Sequence, residues 1–476
     1  MTGRSTAAEI RPPQFNRTRV ASFSPNDEKQ GVRDARAADR GLVGFLLCHF
    51  AFQLVLLLPW FSAIRAPLRG GAFGLSLVFL ALVTGRAKVQ LQARRWAVAI
   101  MCIVTLECLH PSGAGLIPVV AQTLLYLSIL GPVFWVPRFQ ITAALFQRLM
   151  LFLWLYYAAG ACMGVLQAYF PGSFQPALSS VYAGMGRDYV MSLQIKLTSG
   201  EQIFRPMGLT NVPGGAAYGA LYAVVFGTGV LLLPRPPFFG AKVAGALTML
   251  VGATCLYLCQ VRSMVVMTAI CLIVMMALAA LSGRVSRLVA LLTAVAVVIP
   301  VAFVLAYSLA GTTVTDRLGT LVKSDAGTVY YTNRGHFLED TFNRLLPKYP
   351  LGGGMGHWGM VASYAGTGLA SYWVEIQWTG WLFDGGVPLI LAYVGAILAS
   401  TWACMSIARG NLGQADPGLS VWGACVVAYN VGAIALCFNY VPFIGTPGLE
   451  FWFINASLIC AAIHADAARP NVILRR

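Results

Sequence analysis

Residues 41–61 read GLVGFLLCHFAFQLVLLLPWF, a run without a single Asp, Glu, Lys or Arg. An α-helix needs about 20 apolar residues to cross the hydrocarbon core of a bilayer. Val212 to Leu233 reads the same way, as does Val285 to Leu309 apart from Arg287 near its start. In lipid every backbone N–H and C=O must find a partner inside the protein, which leaves helices or a closed barrel. The runs are uniformly apolar rather than alternating, so the reading is helices. Composition agrees: 58% of the residues are hydrophobic and 11% charged, against about 25% charged in ordinary soluble domains.

The net charge is +16. The basic residues are scattered between apolar runs and form no single face, so they read as cytoplasmic loops of a membrane protein and not as a nucleic-acid surface. All 11 cysteines fall in or at the ends of apolar runs, with no CxxC pair. They read as small buried apolar residues. Residues 1–40 are polar and charged and are expected to form a disordered tail. No short apolar segment with a cleavage site precedes the first run, so no removable signal peptide is expected.

Spans are expected near 41–61, 71–85, 96–110, 115–136, 144–170, 212–233, 239–258, 263–281, 285–309, 386–408, 418–438 and 445–465. The fold class is all-α, a polytopic bundle of about 12 transmembrane helices. With the N-terminal tail in the cytoplasm, short loops on that side hold Arg86, Lys88, Arg94, Arg95, Arg138, Arg148, Arg235, Lys242, Arg284, Arg287 and Arg409. Short loops on the other side hold only Arg65, Arg69 and Arg262. That asymmetry puts both termini in the cytoplasm. Two longer loops then face outward, at about 171–211 and 310–385. The second spans about 75 residues, a length that is usually functional or disordered. It is too aromatic and too sparsely charged to read as disordered.

Three outer-side arginines run against the positive-inside bias. Arg205 lies in Phe204-Arg205-Pro206-Met207-Gly208, Arg262 in Gln260-Val261-Arg262-Ser263, and Arg334 in Thr332-Asn333-Arg334-Gly335-His336. Each either snorkels to headgroups or forms an ion pair, or it marks a site. Converging guanidinium groups suit a diphosphate, because their donors fit phosphate oxygens bidentately and stay charged. The large loop also carries Pro350-Leu351-Gly352-Gly353-Gly354-Met355-Gly356-His357-Trp358. It lacks the Lys and Ser/Thr of a P-loop, so it reads as a tight turn that positions its neighbours. Glu375 is a carboxylate among aromatics and reads either as a general base or as an ion-paired residue. Trp373, Trp378 and Trp381 offer faces for sugar rings or form an interfacial belt. His357 and His336 are further base candidates. No spacing of metal ligands is present, so no metal is expected.

The order of these features resembles the bacterial O-antigen ligase and polysaccharide polymerase superfamily. The resemblance rests on Arg205-Pro206-Met207-Gly208, on Gln260-Val261-Arg262-Ser263, on Asn333-Arg334, and on Pro350 through Gly356. It covers roughly residues 200 to 390. It implies a large, partly helical periplasmic loop in a bacterial inner-membrane protein. It also implies a metal-independent glycosyltransferase that takes a glycan from an undecaprenyl-diphosphate carrier, with no cofactor. By resemblance, Arg205 and Arg262, with Arg334, hold the carrier diphosphate. A chain-length regulator and a flippase are the protein partners this implies. Ligases carry a His-Asn pair after the glycine turn. Here the place reads Trp373-Val374-Glu375-Ile376-Gln377, which favours a polymerase over a lipid A-core ligase and makes Glu375 the base, ahead of His357 or His336.

Two other classes stay open. A flippase or transporter for lipid-linked glycans fits a dozen spans, but transporters place charges near the midplane. Here Glu107 and Arg148 are the charges noted inside spans. A non-catalytic envelope scaffold is the other.

Overall fold

A computed structural model describes residues 25–83, 85–178, 186–319, 326–359, 361–362, 372 and 374–468. Its elements are α1 (Pro25–Val55), α2 (Arg65–Leu82), α3 (Arg94–Glu107), α4 (Leu116–Leu130), α5 (Ala143–Tyr169), α6 (Ala216–Leu232), α7 (Ala241–Cys259), α8 (Arg262–Leu281) and α9 (Val285–Ala310). After α9 come α10 (326–348), α11 (Gln377–Ala408), α12 (Pro417–Leu436) and α13 (Thr446–Ala467). A helix stands at each expected span. Among the described residues, 8 are long and apolar enough to cross a membrane, or 9 if α4 and its bent continuation Pro132–Arg138 form one span. The chain is a helical membrane protein.

Local sequence sets several boundaries. Thr142 caps α5, its hydroxyl accepting the Leu145 N–H at 3.1 Å. Asp416 caps α12 by accepting the Gly418 N–H at 2.7 Å, with Pro417 in the first turn, the usual pairing of a short polar cap and a proline whose missing N–H costs nothing. Only Gln260 and Val261 separate α7 from α8, and Gln260 takes φ 54° to make that turn.

The layers differ in what they face. In its most apolar window α9 is 17% buried and α13 83% buried. Val289, Val297, Val301 and Val304 stand exposed on α9, a surface that suits lipid. Helix α6 is only 17 residues long but is enclosed by α5, α7, α8 and α12. It packs through small residues. A Cβ at Gly245 would lie 2.8 Å from the Gly227 carbonyl, and one at Gly252 would lie 2.8 Å from that of Ala220. Such close backbone approach is how helices associate where no hydrophobic drive exists.

Two expected boundaries shift. Residues 25–40, expected as part of a disordered tail, are helical and continue into the first apolar run. The large loop, expected to reach residue 385, gives way to helix at Gln377, and Gly385 (φ 176°) and Gly386 (φ 62°) kink α11 where the span was expected to begin. A two-stranded antiparallel hairpin, β1 (Gln194–Lys196) and β2 (Gln202–Phe204), stands in the 171–211 loop, pairing Ile195 with Ile203.

Candidate anion site at one end of the bundle

The ends of α5 and α7 and the starts of α6 and α8 meet at one end of the bundle, where the arginines lie. Hairpin β1–β2 delivers Arg205 there. Its N–H donates to the Leu193 carbonyl at 3.0 Å and its Nη2 to the Ser192 carbonyl at 2.9 Å. The next turn is clamped by Gln167 of α5, whose Oε1 accepts from the N–H groups of Met207 and Gly208, both at 2.8 Å. Its Nε2 donates to the Gly208 carbonyl at 2.9 Å. Gly208 has φ 65°, and a Cβ there would lie 2.7 Å from the Gly160 carbonyl. The element Arg205-Pro206-Met207-Gly208 is thus a fixed bracket on α5.

Arg262 opens α8 beside this bracket. Burial pushes the Arg205 guanidinium below its ordinary pKa, and the nearby charge of Arg262 pushes the same way, against Cys259 and Tyr189. Burial likewise lowers Arg334, again opposed by Tyr189. Tyr189, on the short helix Arg187–Ser192, is therefore an electrostatic neighbour of both Arg205 and Arg334. Three arginines from distant segments share one neighbourhood, and half-burial strengthens their hold on an anion.

Glu375 does not stand alone. Its carboxylate is ion-paired with the Arg334 guanidinium, so the ion-paired alternative is the one the structure shows. Trp378 is half-buried and packs edge-on against Trp381 at 5.7 Å between ring centroids. Trp381 itself is core, stacked on Tyr393 at 4.7 Å. Trp373 lies outside the described residues. His357 contacts the Ser112 carbonyl through Nε2 at 2.5 Å. A carbonyl only accepts, so Nε2 carries the proton and Nδ1 is the basic nitrogen. His336 holds the Tyr331 carbonyl at 3.3 Å through Nδ1. Among the described residues no three His, Cys, Asp or Glu side chains gather as metal ligands.

The glycine-rich stretch packs against backbone. A Cβ at Gly354 would fall 2.8 Å from the Ser112 carbonyl, one at Gly356 2.7 Å from Pro118, and one at Gly386 2.3 Å from the Pro350 carbonyl. The Gly353 N–H donates to the Phe383 carbonyl at 2.8 Å and the Val387 N–H to that of Pro350 at 2.9 Å. Glycine here lets the loop interlock with the α3–α4 connection and the α11 kink.

That interlock is anchored by Asp384, which has no exposed surface. Its carboxylate accepts from Trp358 Nε1 at 2.9 Å, Tyr126 OH at 2.6 Å and Gln122 Nε2 at 3.2 Å. Sequence reasoning passed over it, although a carboxylate beside a Gly-Gly pair at a span boundary is a signal. A second carboxylate was also passed over. Glu450 lies inside the last expected span and was not counted with Glu107 and Arg148. It accepts from Tyr157, from Tyr222 at 2.8 Å and from Tyr218 at 3.2 Å, and lies 3.3 Å from His49 Nε2.

A groove of about 450 Å³ between α7 and α9, lined by Val243, Leu247, Leu250, Val297 and Val301, is apolar and lies along the half of α7 away from Arg262. It belongs to the lipid-facing surface. Comparison with known proteins adds no relative: no protein-family model matches the chain, and no curated protein matches it either.

Proposed function

We propose that this chain is a bacterial inner-membrane glycosyltransferase of the O-antigen ligase and polysaccharide polymerase type. It moves oligosaccharide from an undecaprenyl-diphosphate carrier onto the next lipid-linked unit at the periplasmic face, with both chain ends in the cytoplasm. The observation that carries this reading is the gathering of Arg205, Arg262 and Arg334 at one end of a membrane bundle. Guanidinium groups there bind the carrier diphosphate and stabilise the charge that develops as it leaves.

The reaction is one displacement. An acceptor hydroxyl attacks the anomeric carbon, the bond from that carbon to the diphosphate oxygen breaks, and the hydroxyl proton passes to a base. The Arg334–Glu375 pair supplies a reason for timing. A diphosphate competes for Arg334 and so releases Glu375, which then takes the proton. His357, through Nδ1, is the reserve candidate. Trp378, with Trp373, contacts the glycan. The departure from a His-Asn pair at 373–377 favours polymerisation over ligation to lipid A-core. The test is polymer growth by purified protein given lipid-linked repeat units, and normal product from Arg262→Ala would remove the assignment.

One observation favours a second reading, a flippase for the same lipid-linked glycan. Glu450 and His49 form a buried polar cluster inside the bundle, the kind of intramembrane ionisable pair that transporters use. Movement of labelled carrier lipid across proteoliposomes without polymer growth would select it.

A further inference from the structure

On the same end of the bundle as Arg205, α2 begins at Arg65 and carries Arg69 one turn later. Positions i and i+4 share a helix face. Arg69 reaches the bracket that follows Arg205: its Nη2 donates to Asn211 Oδ1 at 3.0 Å. Asn211 is only 5% exposed. The contact with Arg69 fixes the orientation of the amide, because only its oxygen accepts. The amide nitrogen, Nδ2, is then left as a buried donor without an acceptor. Arg65 Nε is also a buried donor without an acceptor. Every one of these unmatched atoms is an N–H.

Buried donors without partners are costly, so natural structures give them acceptors. An anion bearing several oxygens would satisfy Arg65 Nε and Asn211 Nδ2 together. We propose that Arg65, Arg69 and Asn211 form a second phosphate position, separate from the one that Arg205, Arg262 and Arg334 provide, and that it takes a lipid-borne phosphate or diphosphate. A reaction that joins two lipid-linked units has two diphosphates to hold. The donor's must leave, and the acceptor's must stay bound while its glycan is extended. Assigning this second position to the acceptor lipid rests on the transfer reaction proposed above. The position itself rests only on the donors named here.

The test uses the full chain in nanodiscs of neutral phosphatidylcholine, titrated with undecaprenyl diphosphate. Wild type is expected to bind two equivalents. Asn211→Asp is the central variant: it keeps an oxygen facing Arg69 while replacing the unmatched donor with a carboxylate that repels phosphate. It is expected to weaken one equivalent about tenfold or more, the loss of a hydrogen bond to a charged group, at an unchanged melting temperature. Arg65→Gln should act on the same equivalent. Arg205→Ala with Arg262→Ala should remove the other. If Asn211→Asp binds two equivalents at wild-type affinity, or wild type binds only one, the second position is wrong. If the Arg205 and Arg262 variant keeps both equivalents while Asn211→Asp loses one, the proposed reaction fails and the phosphate position stands. Phosphatidylglycerol added to the nanodisc separates the sources. Displacement of the second equivalent identifies a bilayer headgroup as its occupant, and persistence identifies the lipid diphosphate.

Discussion

The guanidinium of Arg334, on α10, is ion-paired with the carboxylate of Glu375, just before α11. The pair joins α10 to the segment just before α11. It also places the expected base and one expected phosphate ligand in direct contact, so that binding at one acts on the other. Glu375→Gln removes the proton acceptor but keeps the shape. Polymer formation is expected to fall about 100-fold or more, the scale of a general base, with donor binding little changed. A loss below about threefold would leave Glu375 as a partner of Arg334 alone, and the same assay on His357→Gln would then decide between the candidates.

Asp384 holds Trp358 at 2.9 Å and so fastens the glycine-rich stretch to the bundle. Trp358→Phe keeps the ring and removes the indole donor. Stability is expected to fall by about 1–3 kcal/mol, the cost of leaving one carboxylate oxygen short of a partner. Asp384→Ala, which strands three donors at once, should cost more. Thermal unfolding in detergent measures both, and equal melting temperatures for Asp384→Ala and wild type would contradict the anchoring role.

Gly386 combines φ 62° with a Cβ position 2.3 Å from the Pro350 carbonyl. Gly386→Ala therefore meets both a strained backbone conformation and a clash that side-chain rotation cannot relieve. A loss of about 3 kcal/mol or more is expected, with the loop freed from α11. Protease should then cut between residues 350 and 360 in the variant before it cuts wild type.

Glu450 draws hydroxyl donors from α5 and α6 and approaches His49 of α1. Glu450→Gln replaces one acceptor oxygen of this cluster with an amide N–H donor. A loss of about 2 kcal/mol is expected from the mismatched donors. If the chain is a glycosyltransferase, polymer formation per folded molecule should be unchanged. If it is a flippase, lipid movement should stop in this variant even where folding survives.

Much of the fold was legible from the chain alone. Whether a run such as 285–309 forms a spanning helix is a local matter, since a helix satisfies its own backbone and lipid selects only for apolar length. That Arg65, Arg69 and Arg262 stand at the ends of apolar runs was visible for the same reason: loop charge is counted along the chain. The glycine run was read as a turn, but its partners were not, because Ser112, Pro118 and Phe383 come from the α3–α4 connection, from α4 and from α11. Glu375 was left between a general base and an ion-paired residue, and its partner, Arg334, came only with the fold.

By itself, then, the sequence determined an all-helical membrane protein, where its helices lie, and that several arginines stand at the ends of apolar runs. Only the tertiary structure decided what those residues meet. It set Arg205 beside Arg262, gave Glu375 a cation, buried Asp384 and Glu450 among donors, and left Asn211 Nδ2 without an acceptor. Helix formation depends on residues three or four apart, but the partner of a buried polar atom depends on how whole helices cross, and that is settled by packing across the entire bundle.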